Sequence, residues 1–269
     1  LLQAADVFFS YGSAAVLRGV TMEVPAKGFV GILGPNGSGK TTLLRVLAGL
    51  LRPSNGRVLL DQADMAHASR PALARRMAVV PQETHLAFDY SVLEVVLMGR
   101  YPHLGTLEIE GPADFAIARE SLAATGTLDL EHRSFDTLSG GEKQRVIIAA
   151  ALAQIAGAAA DRLLLLDEPT VALDLSYQLE LAALLVDLQQ RMPMAIAVST
   201  HDLNFAASVC RTLVLLKGGV VLAAGPTPEV LTPANIRSLY GVEADVTHHA
   251  ASGRLVVIPI HRVTDRPGR

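Results

Sequence analysis

The stretch GPNGSGKTT, from Gly34 to Thr42, follows the apolar run FVGIL (Phe29–Leu33) and opens the helix-like KTTLLRVLAGLL. Three glycines in nine residues leave a loop with almost no side chain. Such a loop can curl until successive N–H groups face one way. The spacing Gly34-x-x-x-x-Gly39-Lys40-Thr41 is that of a phosphate loop, with the strand before and the helix after that the pattern requires. Gly34, Pro35, Asn36, Gly37, Ser38, Gly39, Lys40, Thr41 and Thr42 are therefore expected to cradle a phosphate chain. The helix N-terminus adds partial positive charge. Lys40 can reach the β- and γ-phosphates, and the Thr41 hydroxyl can bind Mg²⁺.

Other segments suit a sheet around that loop. RLLLLDE (Arg162–Glu168) and MAIAVSTHD (Met194–Asp202) are continuous apolar runs with polar ends. Strands of this kind are buried on both faces of a parallel α/β sheet, and their polar ends lie where such sheets bind ligands. Two acids follow four leucines. Asp167 is placed to hold Mg²⁺ through water, and Glu168 to orient and activate an attacking water.

The opening 28 residues and GRVLLDQADM (Gly56–Met65) read as short strands of an antiparallel flap. Residues from about 83 to 158 read as mostly helical. Ser91 and Glu94 have capping-box spacing, Pro112 suits a first helical turn, and Gly126 suits a helix end. The tail carries a Gly218-Gly219 turn, then TPANIRSLYG and RLVVIPI, expected as a small sheet and helix. Its last residues, DRPGR, are expected to fray. The expected fold is α/β: a RecA-like P-loop NTPase core with an antiparallel β subdomain and an inserted α-helical subdomain. A single domain is expected, with core and β subdomain at about 1–82 and 159–217, helices at about 83–158, and an extension at about 218–269.

Composition narrows the classes. At 269 residues the chain can bury a large core without staples, and its one cysteine, Cys210, forms no internal disulfide. That fits a reducing compartment. A net charge of −3 gives no reason to expect a nucleic-acid partner. Mean hydropathy is high, +0.35. Yet the longest apolar stretch, Val146 to Ala160, has 15 residues and includes Gln154. A membrane span needs about 20, so a buried helix is expected. The opening residues carry no secretory signal pattern. Because the chain opens on Leu1 rather than Met, a few preceding residues are expected.

One motif is far more specific. LSGGEKQR (Leu138–Arg145) resembles the signature of ABC ATPases, and the family's other elements follow in order. The resemblance implies that Tyr11 stacks on adenine and that Gln82, in VVPQ, reports on Mg²⁺ and water. It implies that VALD, ending at Asp174, crosses a dimer interface and that His201 is a switch histidine that, with Glu168, orients water and γ-phosphate. Val171 departs from the pattern, where serine is frequent. Ser139, Gly140 and Gly141 open a helix, and in the family this helix faces the γ-phosphate held by the other subunit. One chain has one loop and one signature, so the resemblance implies a homodimer that closes on ATP. His67, His85, His103, His132, His248, His249 and His261 receive no role, and His248-His249 read as surface residues rather than metal ligands.

DNA-associated relatives carry a long coiled-coil insertion, and translation-associated ones usually carry two ATPase domains. Neither is present. The resemblance thus implies a transporter subunit docked on a separate permease dimer at the cytoplasmic face of the inner (plasma) membrane. The expected docking groove lies near Gln82 and ETHLAFDYSVLEVVLMGRYPHLG (Glu83–Gly105). SVLEVVLMGRYPHLG and TPANIRSLYGVEADV look like the corresponding segments in importers of iron-siderophore, cobalamin or haem, which are fed by a substrate-binding protein. The ATPase never touches the cargo. Molybdate-type oxyanions, an exporter or other importer, and a soluble ABC ATPase that remodels protein or nucleic acid are the competing readings.

Overall fold

A computed structural model describes residues 1–84, 86–158, 161–171, 173–251 and 253–263. The expected frayed DRPGR end, His85, Ala172 of VALD and the last two residues of the Val146–Ala160 stretch lie outside the described residues.

The first two strands, β1 (Leu2–Tyr11) and β2 (Ala14–Val24), form a long antiparallel pair. With β4 (Asn55–Leu60) and β5 (Ala63–Asp64) they make a sheet of order β2-β1-β4-β5. These opening strands run 10 and 11 residues, longer than the short flap expected, because β1 is paired on both sides.

The apolar runs form the second sheet. β3 (Phe29–Leu33), β6 (Met77–Val80), β7 (Arg162–Asp167), β8 (Met194–Thr200) and β9 (Thr212–Lys217) are parallel, and β10 (Val220–Pro226) closes one edge antiparallel. The order is β10-β9-β3-β8-β7-β6. Alternation sorts each continuous run between two cores. Leu164, Leu166, Ile196 and Val198 enter one core, while Leu163, Leu165, Ala195 and Ala197 enter the other. At Gly31 a Cβ would lie 2.7 Å from Leu213 and 2.8 Å from Cys210, so only glycine lets those layers meet.

Helix α1 (Lys40–Leu47) buries Leu43, Leu44, Val46 and Leu47 between the two sheets. After α2 (Arg70–Ala74) come α3 (Val92–Leu97), α4 (Pro112–Ala124) and α5 (Gly140–Ile155). Ser91 and Glu94 make the capping box at α3, and Pro112 occupies the first turn of α4. α5 belongs to two layers: Val146, Ala149 and Ala153 pack on α3 and α4, while Ile148, Leu152 and Ile155 pack under the parallel sheet. The apolar stretch from Val146 is thus mostly a buried helix, as expected from its length. On the same side of the sheet lie α6 (Leu175–Arg191) and α7 (Leu203–Val209). The tail adds α8 (Thr227–Val230), α9 (Pro233–Tyr240) and a hairpin of β11 (Val242–His248) and β12 (Leu255–Arg262).

Candidate active site

The polar ends of β3, β6, β7 and β8 converge at the C-terminal edge of the parallel sheet. There they surround an open cavity of about 560 Å³. Asn36, Gly37, Gly39, Lys40, Thr41 and Thr42 line it from the loop, Gln82, Glu168 and His201 from the other strand ends, and Val16 and Val171 complete the wall. The loop geometry explains its glycines. Gly37 and Gly39 have φ of +77° and +103°, where a side chain is strained. A Cβ at Gly34 would meet the Leu216 carbonyl at 2.3 Å and the Ser38 hydroxyl at 2.5 Å. The Ser38 hydroxyl is buried with no partner among the described residues.

Lys40 is almost wholly buried, yet its charge is satisfied. Its Nζ donates to the carbonyls of Gly34 (2.8 Å) and Pro35 (3.3 Å) and pairs with Glu168 Oε1 at 2.9 Å. The other carboxylate oxygen, Oε2, lies 2.8 Å from His201 Nδ1. Glu168 reaches both partners from a left-handed backbone, φ +47°, a conformation that costs a non-glycine residue about 1–2 kcal/mol. Its neighbour Asp167 accepts from the Thr41 hydroxyl at 3.0 Å. Ser199, unremarked in the sequence, organises both acids. Its hydroxyl donates to Asp167 Oδ1 (2.6 Å) and accepts from the Glu168 N–H (3.1 Å). The β7–β8 register places Asp167 opposite Ser199, and that pairing is invisible in a linear reading.

A comparison with family models matches residues 17–171, more than half of the chain, to the ABC transporter family. The chain belongs to the ABC transporter ATPases. Members of this family bind ATP and hydrolyse it to power transport. The hemin import ATP-binding protein HmuV of Bordetella pertussis is 43% identical over 96% of this chain and 98% of its own. The ferric enterobactin transport ATP-binding protein FepC of Escherichia coli K12 is 36% identical over 97% and 94%. Among solved structures, an ABC transporter assigned to the metal-chelate type, in an inward-facing conformation, superposes with a TM-score of 0.84 at 30% identity, covering 97% of each chain.

The remaining ABC elements stand apart from the cavity. Ser139 caps α5, with the reciprocal Glu142 bond at 2.7 Å, so the signature helix starts cleanly at Gly140. Backbone N–H donation from Ser139 holds the Glu142 carboxyl below its ordinary range. Gly141 lies under Tyr177, where a Cβ would fall 2.2 Å from the ring. Tyr177 is fixed in turn by Asp174, which caps α6 through a 3.0 Å bond from the Tyr177 N–H. That bond holds the Asp174 carboxyl low. None of Ser139, Gly140, Gly141 and Asp174 lines the cavity. Tyr11 does not line it either. It stands at the end of β1, half exposed, with its ring edge-on to Phe9 at 4.9 Å.

Proposed function

We propose that this chain is the ATP-hydrolysing subunit of an importer that takes up a metal chelate, haem foremost, through a separate permease at the cytoplasmic face of the membrane. The observation that carries the hydrolytic part of the reading is the joint engagement of Glu168 by Lys40 and His201 at the mouth of the phosphate loop, and the importer part rests on likeness to hemin and ferric enterobactin import ATPases. Haem is placed first because the hemin-import relative is matched at 43% and the enterobactin relative at 36%. Among the described residues no helix is long and apolar enough to cross a membrane, which fits a subunit that reaches the bilayer through a partner.

The residues fit nucleotide and metal. The orphaned Ser38 hydroxyl and the glycine cradle leave space and donors for phosphate oxygens. Thr41 and Asp167, already in contact, offer the oxygen ligands that Mg²⁺ prefers, with Gln82 on the cavity wall. Bound there, Mg²⁺ neutralises phosphate charge. On this reading Lys40 binds the β- and γ-phosphates, Glu168 orients and activates water, and His201 holds Glu168 in place. Tyr11 supplies a face for adenine. Ser139, Gly140, Gly141 and Asp174 act across the interface of a homodimer.

Deleting the gene and measuring uptake of labelled haem, ferric chelate and cobalamin tests the proposal. Loss of one uptake, restored by the intact gene and not by Glu168→Gln, is the expected result. Restoration by Glu168→Gln would remove ATP hydrolysis by this residue from the account.

A further inference from the structure

His201 sits where β8 ends and α7 begins, so its aim depends on the short loop at His201–Asp202 and on Asn204 in the first turn of α7. The inner side of that loop is held locally. Asp202 Oδ1 accepts from the N–H groups of Asn204 and Phe205, both at 2.9 Å, and the Asp202 N–H donates to Thr200 Oγ1 at 3.1 Å. The outer side is held by the C-terminal tail. The Asn204 amide pairs twice with a single residue of β12: Nδ2 donates to the Val257 carbonyl at 3.1 Å, and the Val257 N–H donates to Oδ1 at 2.8 Å. This side chain thereby occupies the edge position a neighbouring strand would take. Val257 is buried in one cluster with Ile236 and Leu239 of α9 and Ala244 of β11, so the anchor is rigid. A second contact comes from the end of α9, where the Tyr240 hydroxyl donates to the His201 carbonyl at 3.3 Å. Burial, then the charges of Glu168 and Asp202, pushes the Tyr240 phenol up.

We propose that Asn204 and Tyr240 are positioning residues for hydrolysis: through them α9 and the β11–β12 hairpin hold the loop that aims His201 at Glu168. Neither residue lines the cavity. The inference rests on the reading of Glu168 and His201 as the hydrolytic pair. It makes the tail a working part of the ATPase rather than an appendage, because a displacement of the hairpin reaches His201 through two side chains. Loosening the loop leaves nucleotide binding by the glycine loop intact and misplaces only the histidine. Misplacement of a catalytic group by about 1 Å costs up to about 10²-fold in rate.

The test uses the full-length chain with Asn204→Asp, which keeps shape but sets an oxygen against the Val257 carbonyl, and Tyr240→Phe, which removes only the hydroxyl. Hydrogen exchange without nucleotide reads the latch itself. Faster exchange confined to residues 200–206 is expected in both variants. Steady-state turnover reads the coupling. The kcat of each variant should fall about tenfold with KM for ATP within about twofold, and the loss should vanish in a His201→Ala background. Unchanged exchange overturns the latch. Unchanged kcat, or an equal loss without His201, overturns the positioning role. Absence of ATP turnover in the unaltered chain would sink the functional reading of the site, and the exchange result would still judge the latch.

Discussion

Glu168 has two carboxylate oxygens, and both are occupied, one by Lys40 and one by His201. A carboxylate so engaged is oriented but not free, and the amide in Glu168→Gln keeps the shape while losing the charge. Turnover of that variant should fall about 10²–10⁴-fold, the usual weight of a general base. ATP should still bind, and a nucleotide-bound dimer should accumulate on size exclusion; near-normal phosphate release would take Glu168 out of the role. Gly34→Ala probes the cradle differently. The added carbon meets the Leu216 carbonyl at 2.3 Å, and backbone there cannot step aside. Binding of a fluorescent ATP analogue should be lost, with β3 and α1 still folded by circular dichroism. Both residues were legible in the sequence, because the phosphate loop and the LLLLDE run are local patterns. Ser199 was not. A serine near a strand end is common, and its value here comes from the register that sets it opposite Asp167, more than thirty residues away in the chain.

Helix starts repeat one device. At α3, α4 and α5 the N-cap N–H of Ser91, Gly111 and Ser139 donates to the carboxylate three residues on, Glu94, Asp114 and Glu142, and at α6 the N-cap carboxylate of Asp174 accepts from the Tyr177 N–H. All four carboxyls are held below their ordinary values. For Glu94 the Ser91 side chain is the largest cause, and for Asp114, Glu142 and Asp174 the backbone N–H is. A carboxyl depressed in the folded state stabilises fully above its unfolded pKa, about 4, and that share is lost as pH falls through the folded value. Urea midpoints should therefore drop below about pH 4, and Glu142→Gln should make the acid limb shallower. An equally steep limb in that variant would show that the cap at the signature helix contributes nothing. Elements of this sort were readable wherever capping residue and apolar period coincide, as at Ser91 and Pro112. The docking of α7 on β12 was not readable. Asn204 and Val257 are joined by tertiary packing alone, and no periodicity announces a side chain that behaves as a strand.

At the scale of the molecule, the loop and the signature of one chain do not share a cavity. If two copies complete each site, a chain carrying Lys40→Ala and one carrying Ser139→Arg should each be inactive alone. Mixed, they should recover part of the turnover, because one of the two composite sites in the hybrid has an intact loop and an intact signature. A mixture as inactive as its components would argue against the composite site. The family's dimer was legible only through resemblance, since no spacing within one chain says that half of a site is elsewhere. The grip of Lys40 on Glu168 also couples two events. Glu168 is buried, so a phosphate that claims the Lys40 ammonium leaves the carboxylate to His201 alone. Filling the loop and releasing the base are then one act, and the fuel itself cocks the trigger.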